Sequence, residues 1–231
     1  MYFPGGGSRR WQLPYRGSIR NYIEGTGAEL WIPLYPLLPD YDLMDETEFT
    51  IRLHEKMLKR FPAENIVWLG ISGGADVLMQ AGRHMVKKYP ELPMPGLMLP
   101  VSVSGLLMSE DAKTRMRGID SRDPILHWDM FETMVKYYNP NGDLPQYILG
   151  KADEDDYTGF PKIIMYFGGD EAFARIAPDY EKSFIRCGVK DYEIKIKEGM
   201  PHAYPMFTFL KEGREGEREI IADINRYFES C

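Results

Sequence analysis

Short apolar runs alternate with longer amphipathic segments along this chain, and that alternation is the feature that most restricts how it can fold. Residues 29–35 (ELWIPLY), 65–71 (NIVWLGI), 96–103 (GLMLPVSV), 162–167 (KIIMYF) and 192–196 (YEIKI) are apolar or alternating runs bounded by Gly, Pro or charge. They predict five strands, the middle ones buried on both faces. Between and after them, residues 46–60, 74–88, 178–187 and 215–228 carry apolar side chains three and four positions apart, the pattern of helices covering a sheet. In the last segment Ile220, Ile221, Ile224 and Phe228 form one stripe and the charges take the other face. Strand followed by helix in steady succession implies right-handed crossovers, so the expected architecture is α/β with a doubly wound, mostly parallel sheet. Residues 108–159 break the rhythm. They are charged, hold one predicted helix over 123–138 and no convincing strand, and read as a cap-like insertion over the carboxyl ends of the strands.

With 231 residues the chain suits a single domain with one large core. Its 44% hydrophobic and 27% charged residues exclude wholesale disorder. The 35 acidic residues outnumber the 28 basic ones, a net charge of -7, so the totals give no support to a nucleic-acid partner. Only Cys187 and Cys231 occur, which argues against a disulfide framework and for a reducing, cytoplasmic setting. The start, MYFPGGGSRRW, has no basic segment leading into an apolar one, and no run of about 18 apolar residues follows. A soluble, unsecreted protein without membrane insertion is expected.

In open parallel sheets, reactive groups gather at the carboxyl ends of strands. After the run NIVWLGI comes Gly70-Ile71-Ser72-Gly73-Gly74 and then a helix, a G-x-S-x-G motif in strand-turn-helix context. Such a turn is so sharp that the residues two before and two after the serine must be very small. The hydroxyl then projects above the sheet, and the N–H of Gly73 points toward an anion formed there. A serine nucleophile needs a base, and the chain offers His54, His84, His127 and His202. His54 and His84 fall within helices on the sheet faces. His127 falls in the insertion, where it could contact substrate. His202 follows the run YEIKI and a turn, at the same end of the sheet as Ser72, and is the expected base. The third member should be an acid just past another strand. Residues 162–167 end in Gly168-Gly169-Asp170-Glu171, so Asp170 is expected in that role with Glu171 as the neighbouring candidate. The run Gly5-Gly6-Gly7 could aim backbone amides at a substrate carbonyl, making Gly5 and Gly6, with Gly73, the expected oxyanion hole.

Taken together, these motifs resemble the hormone-sensitive-lipase-like branch of the α/β-hydrolase esterases. Tyr2-Phe3-Pro4-Gly5-Gly6-Gly7 resembles that family's Y-x-H-G-G-G, and Gly70-Ile71-Ser72-Gly73-Gly74 its G-D-S-A-G. Asp123-Pro124-Ile125-Leu126, with Tyr137-Tyr138 further on, resembles its D-P-x-L segment. Gly169-Asp170 is similar to its acid, and residues 200–207 (MPHAYPMF) to its M-x-H-G-F-x-x-F stretch. The resemblance runs through the whole chain in the order Ser72, Asp170, His202. It implies a serine carboxylester hydrolase for short acyl chains, without metal or organic cofactor.

Pro4 stands where the family's motif has histidine, and Ile71 where it has an acid. Family members also carry further strands and cap helices ahead of the glycine motif, so sheet and cap are both expected to be curtailed. That leaves the predicted edge strand 29–35 open to pairing, and a homo-oligomer is expected. His127, Trp128, Phe131 and Tyr137 are the candidate substrate-binding residues of the insertion, with Trp31 and Tyr35 as further aromatic walls. An amidase or deacylase of a small acylated metabolite would use the same residues, and a non-catalytic binding protein could keep the same scaffold.

Overall fold

The computed structural model describes residues 1–119 and 122–230, with only the backbone described at 128–132; Cys231 falls outside it. At its centre five parallel strands lie side by side in chain order: β1 (Tyr2–Phe3), β2 (Val67–Ile71), β3 (Leu97–Val101), β4 (Lys162–Gly168) and β5 (Tyr192–Lys197). Leu69 pairs with Tyr2 on one side and Leu99 on the other, and Val101 lies between Ile71 and Tyr166. Period-two alternation divides the strand residues between two cores. Phe3, Trp68, Met98, Ile163 and Met165 face one layer; Tyr2, Leu69, Leu99, Ile164 and Tyr166 face the other. Both faces are dry, which is why β2 to β4 are continuously apolar rather than alternating.

Helices α2 (Leu43–Leu58), α3 (Gly73–Lys88) and α7 (Ala177–Arg186) cover the first face, while α1 (Arg16–Thr26) and α8 (Lys211–Ser230) cover the second. The side chain of Asp42 accepts from the amide of Asp45, and that of Asp45 from the amide of Asp42, a capping box that starts α2 ahead of the expected residue 46. On α8 the predicted stripe buries Ile220 and Ile224, each worth roughly 1.5–3 kcal/mol when removed from water. The edge of the same stripe meets α1: a Cβ at Gly25 would come within 2.8 Å of Ile221 Cγ2, and Asn21 Nδ2 donates to Glu217 Oε2 at 2.6 Å. Helix α1 is not among the helices expected from periodicity, because it buries only Ser18 and Tyr22.

One expected strand does not form. Residues 29–35 run beside β1, but their single ladder-like bond is Tyr2 N to Trp31 O at 2.8 Å. Pro33 and Pro36 have no N–H to donate, and the edge of β2 is taken by Tyr2–Phe3, a pair too short to register as an apolar run. The long, open edge strand on which self-association was expected is therefore not formed.

Residues 108–159 lie between β3 and β4 and carry α4 (Glu110–Arg117), α5 (Trp128–Tyr138) and α6 (Gln146–Leu149). Leu106, Tyr138, Ile148 and Leu149 pack with Leu38 and Leu43 in a third cluster. Buried Arg83 of α3 donates to Tyr147 O at 2.7 Å and lies 3.4 Å from Asp155, tying the C-terminal part of this segment to the main body. Tyr138 is thereby held over the strand ends.

Candidate active site

Ser72 sits between β2 and α3 with φ 52° and ψ -124°, a left-handed conformation that an L-residue adopts at a cost. The turn is held shut by close backbone contacts. A Cβ at Gly70 would lie 2.4 Å from Gly74 O, and one at Gly74 would lie 2.2 Å from Phe3 O. These are the two positions the motif reserves for glycine, and the second explains the reservation through packing: the glycine-bearing loop after β1 lies directly on the elbow.

The loops after β4 and β5 bring the other polar groups to Ser72. His202 Nε2 lies 2.7 Å from Ser72 Oγ, and His202 Nδ1 lies 2.7 Å from Glu171 Oε2. The acid facing the imidazole is thus Glu171 and not Asp170. Asp170 is 31% exposed and lies 3.8 Å from Arg122, whereas Glu171 is fully buried. The amide of Gly168 at 2.8 Å and the hydroxyl of Ser102 at 2.9 Å donate to Glu171 Oε1. Burial pushes the Glu171 carboxyl above its ordinary range, and the hydrogen bonds from His202, Ser102 and Gly168 oppose that push. Ser102 also accepts from the amide of Ala203 at 2.9 Å, so one buried hydroxyl bridges the acid and the residue after the histidine. Nothing in the local sequence marks Ser102, which lies just beyond β3.

Among the described residues the amides of Gly6, Gly7 and Gly73 have no hydrogen-bond acceptor. All three line the cavity that holds Ser72 and His202, about 510 Å³ in volume. Gly5 does not line it; its Cα packs behind Ser72, where an added Cβ would meet Ile71 O at 3.0 Å. The loop carrying these glycines is braced from several sides. Tyr138 Oη donates to Gly7 O at 2.7 Å, Tyr35 Oη to Pro4 O at 2.6 Å, and the amide of Gln12 to Gly5 O at 2.8 Å. The Ser8 hydroxyl donates to Glu46 Oε2 at 2.9 Å, and burial pushes that carboxyl well above its ordinary range. Tyr35 and Glu46 thus support the loop where the resembling motif has a histidine and this chain has Pro4.

Of the expected substrate-binding residues, His127 is exposed and outside the cavity wall, and Tyr137 lies under the guanidinium of Arg9, 4.6 Å from its ring centre. The side chains of Trp128 and Phe131 lie outside the described residues. Tyr35 is buried beneath the loop, and neither it nor Trp31 lines the cavity. The insertion contributes Ile125, Leu126, Met134 and Tyr138 instead, facing Phe173 and Phe207. Asp76, on the first turn of α3, is the one carboxyl on the wall among the described residues; its oxygens accept from the amide and hydroxyl of Ser104 and the amide of Gly105, and burial pushes its pKa up to about 6. Among the described residues no group of three His, Cys, Asp or Glu could hold a metal ion, and no helix is long and apolar enough to cross a membrane. A polarisable hydroxyl, a base, a buried acid and unpaired amides converge at one point, the set needed for attack on a carbonyl and stabilisation of the resulting oxyanion.

A family model described as alpha/beta hydrolase fold matches residues 2–206. No curated protein matches the chain. Among solved structures it is similar to the hormone-sensitive-lipase homologue EstE7 from a metagenome library, with a TM-score of 0.81 over 98% of this chain and 77% of that one at 22% identity. It is similar to EstE5 soaked with p-nitrophenyl butyrate, with a TM-score of 0.83, 99% and 76% coverage and 18% identity. An esterase from the bacterial hormone-sensitive lipase family gives a TM-score of 0.85, 98% and 75% coverage and 20% identity. At such identities the likeness is one of fold.

Proposed function

The chain belongs to the alpha/beta hydrolase fold family, and from that premise we propose that it is a serine esterase cleaving short-acyl carboxylic esters through Ser72, His202 and Glu171. The observation that carries this reading is the unbroken chain of contacts from Ser72 Oγ through the two His202 nitrogens to Glu171, each 2.7 Å long. A family resemblance to esterases, and a cavity able to hold a small ester whole, support the choice of substrate.

In the proposed reaction His202 Nε2 takes the Ser72 proton as Oγ attacks the ester carbonyl, and Glu171 stabilises the imidazolium through Nδ1. The amides of Gly6, Gly7 and Gly73 receive the oxyanion. The C–O bond to the alcohol breaks, the alcohol leaves with the proton from His202, and an acyl group remains on Ser72. Water, deprotonated by His202, then attacks the acyl-enzyme; the carboxylic acid departs and the proton returns to Ser72.

The test is hydrolysis of p-nitrophenyl butyrate by the wild type and Ser72→Ala. Loss of about 10³-fold or more in the variant is expected; equal rates overturn the assignment. A fluorophosphonate probe should label Ser72 in the wild type, and failure to label would favour a binding protein on a hydrolase scaffold.

A further inference from the structure

The loop that carries the glycines continues into Arg9 and Arg10, and both guanidinium-bearing residues line the cavity that contains Ser72. Both are exposed, and neither makes an ion pair among the described residues. Among the described residues the only carboxyl on the cavity wall, Asp76, is taken up by Ser104 and Gly105.

The backbone beneath the arginines is held in place. The amide of Arg9 donates to Gly6 O at 3.3 Å, the amide of Leu38 to Ser8 O at 2.8 Å, and Trp11 Nε1 to Tyr35 O at 3.0 Å. The Arg9 guanidinium rests on the face of Tyr137, which fixes its plane and leaves its N–H groups to reach outward. Two cations are therefore carried on the same short, braced loop as the amides of Gly6 and Gly7, with the Arg9 guanidinium held against Tyr137. The remaining wall, from Ile125 and Leu126 to Phe173 and Phe207, is apolar. A cavity with an apolar wall, free amides beside the nucleophile and an unpaired pair of guanidiniums is complementary to an ester that also carries an anion.

We infer that Arg9 and Arg10 are specificity-determining residues that select esters bearing a carboxylate, on either the acyl or the alcohol side, away from the scissile bond. The inference rests on the esterase reading above and narrows its substrate class. The carboxylate pairs with the guanidiniums while the ester carbonyl lies over Gly6, Gly7 and Gly73. The effect falls on binding of the charged substrate and weakens with added salt, because both arginines are exposed.

Two matched substrate pairs test this. For the alcohol side, 4-butyryloxybenzoate is compared with 4-butyryloxybenzamide; for the acyl side, the mono-4-nitrophenyl ester of adipic acid is compared with that of adipic acid monoamide. The wild type should favour the carboxylate by about tenfold in kcat/KM in at least one pair, mainly through KM, and lose that preference at 1 M salt. Arg9→Gln with Arg10→Gln should bring the ratio near unity, and lysine at both positions should restore most of it. Equal kcat/KM for both members of both pairs, or a preference that survives the double glutamine variant, overturns the inference while leaving the esterase reading intact. Hydrolysis of none of the four substrates overturns both.

Discussion

His202 Nδ1 lies 2.7 Å from Glu171 Oε2, with the two side chains 5% and 0% exposed. A carboxylate so buried against an imidazole selects the tautomer with its proton on Nδ1 and leaves Nε2 free to accept from Ser72. Glu171→Gln should keep the shape of the contact and offer an amide in place of the acceptor. The expected result is a fall of about 10³–10⁴ in kcat for ester hydrolysis with a nearly unchanged melting temperature. Asp170→Asn, at a position facing solvent and Arg122, should change kcat by less than about threefold. Steady-state kinetics of the two variants would decide which neighbour acts on the histidine.

Ser102 connects Glu171 to the loop of His202. Ser102→Ala would leave Glu171 Oε1 with the Gly168 amide alone and the buried Ala203 amide without its acceptor. An unsatisfied buried donor costs about 1–3 kcal/mol, so urea unfolding should show a loss in that range. A drop of about tenfold in kcat should accompany it, because the imidazole loses one of its constraints.

Asp76 couples stability to pH. Its carboxyl titrates near 6 in the fold against an ordinary 3.8, so the folded state holds the proton more tightly than the unfolded chain. The stability this contributes is full below about pH 4 and is lost as pH rises through 6. Asp76→Asn imitates the protonated form and can still accept from the amides of Ser104 and Gly105. Relative to the wild type it should gain about 2 kcal/mol between pH 4 and pH 8. Urea midpoints for both proteins at the two pH values measure that difference, and an equal offset at both would contradict the assignment.

Glycines at the elbow should respond to added methyls in proportion to what surrounds them. At Gly73 a Cβ would lie 2.7 Å from Gly7 N, so Gly73→Ala should displace the loop amides and lower kcat/KM by about tenfold or more. Gly74→Ala drives a methyl into Phe3 O and Pro4 O and should cost about 1–3 kcal/mol of stability. Gly17, within α1, has nothing within 4 Å, and Gly17→Ala should stabilise by about 0.5–1 kcal/mol. Steady-state kinetics of the Gly73 variant, and thermal or chemical denaturation of the other two, check these outcomes.

Much of this architecture is legible in local pattern. Four of the five expected strands, the four covering helices, the elbow around Ser72 and the placement of His202 all rest on properties that neighbouring residues decide among themselves. Continuous apolar runs bury both faces of β2 to β4, a helical stripe buries one face of α8, and Gly70 and Gly74 permit a turn that larger residues forbid. The start of α2 lies three residues ahead of the expected position, because the Asp42–Asp45 capping box begins the helix before its apolar stripe does.

Local pattern is enough for the α/β layering and for the serine and histidine at its strand ends. Choices between near neighbours are made by contacts across the fold. Glu171 rather than Asp170 meets the imidazole, because the loop after β4 turns one side chain inward against Ser102 and the other toward Arg122. Tyr138 rather than Tyr137 lines the cavity, because Gly7 O, 131 residues earlier, accepts its hydroxyl. Tyr2–Phe3 rather than residues 29–35 pairs with β2, because two segments compete for one edge and prolines weaken the longer. Each outcome turns on a contact between residues far apart in the chain, and the direction in which a side chain points at such a contact leaves no trace in the composition or periodicity of the residues around it.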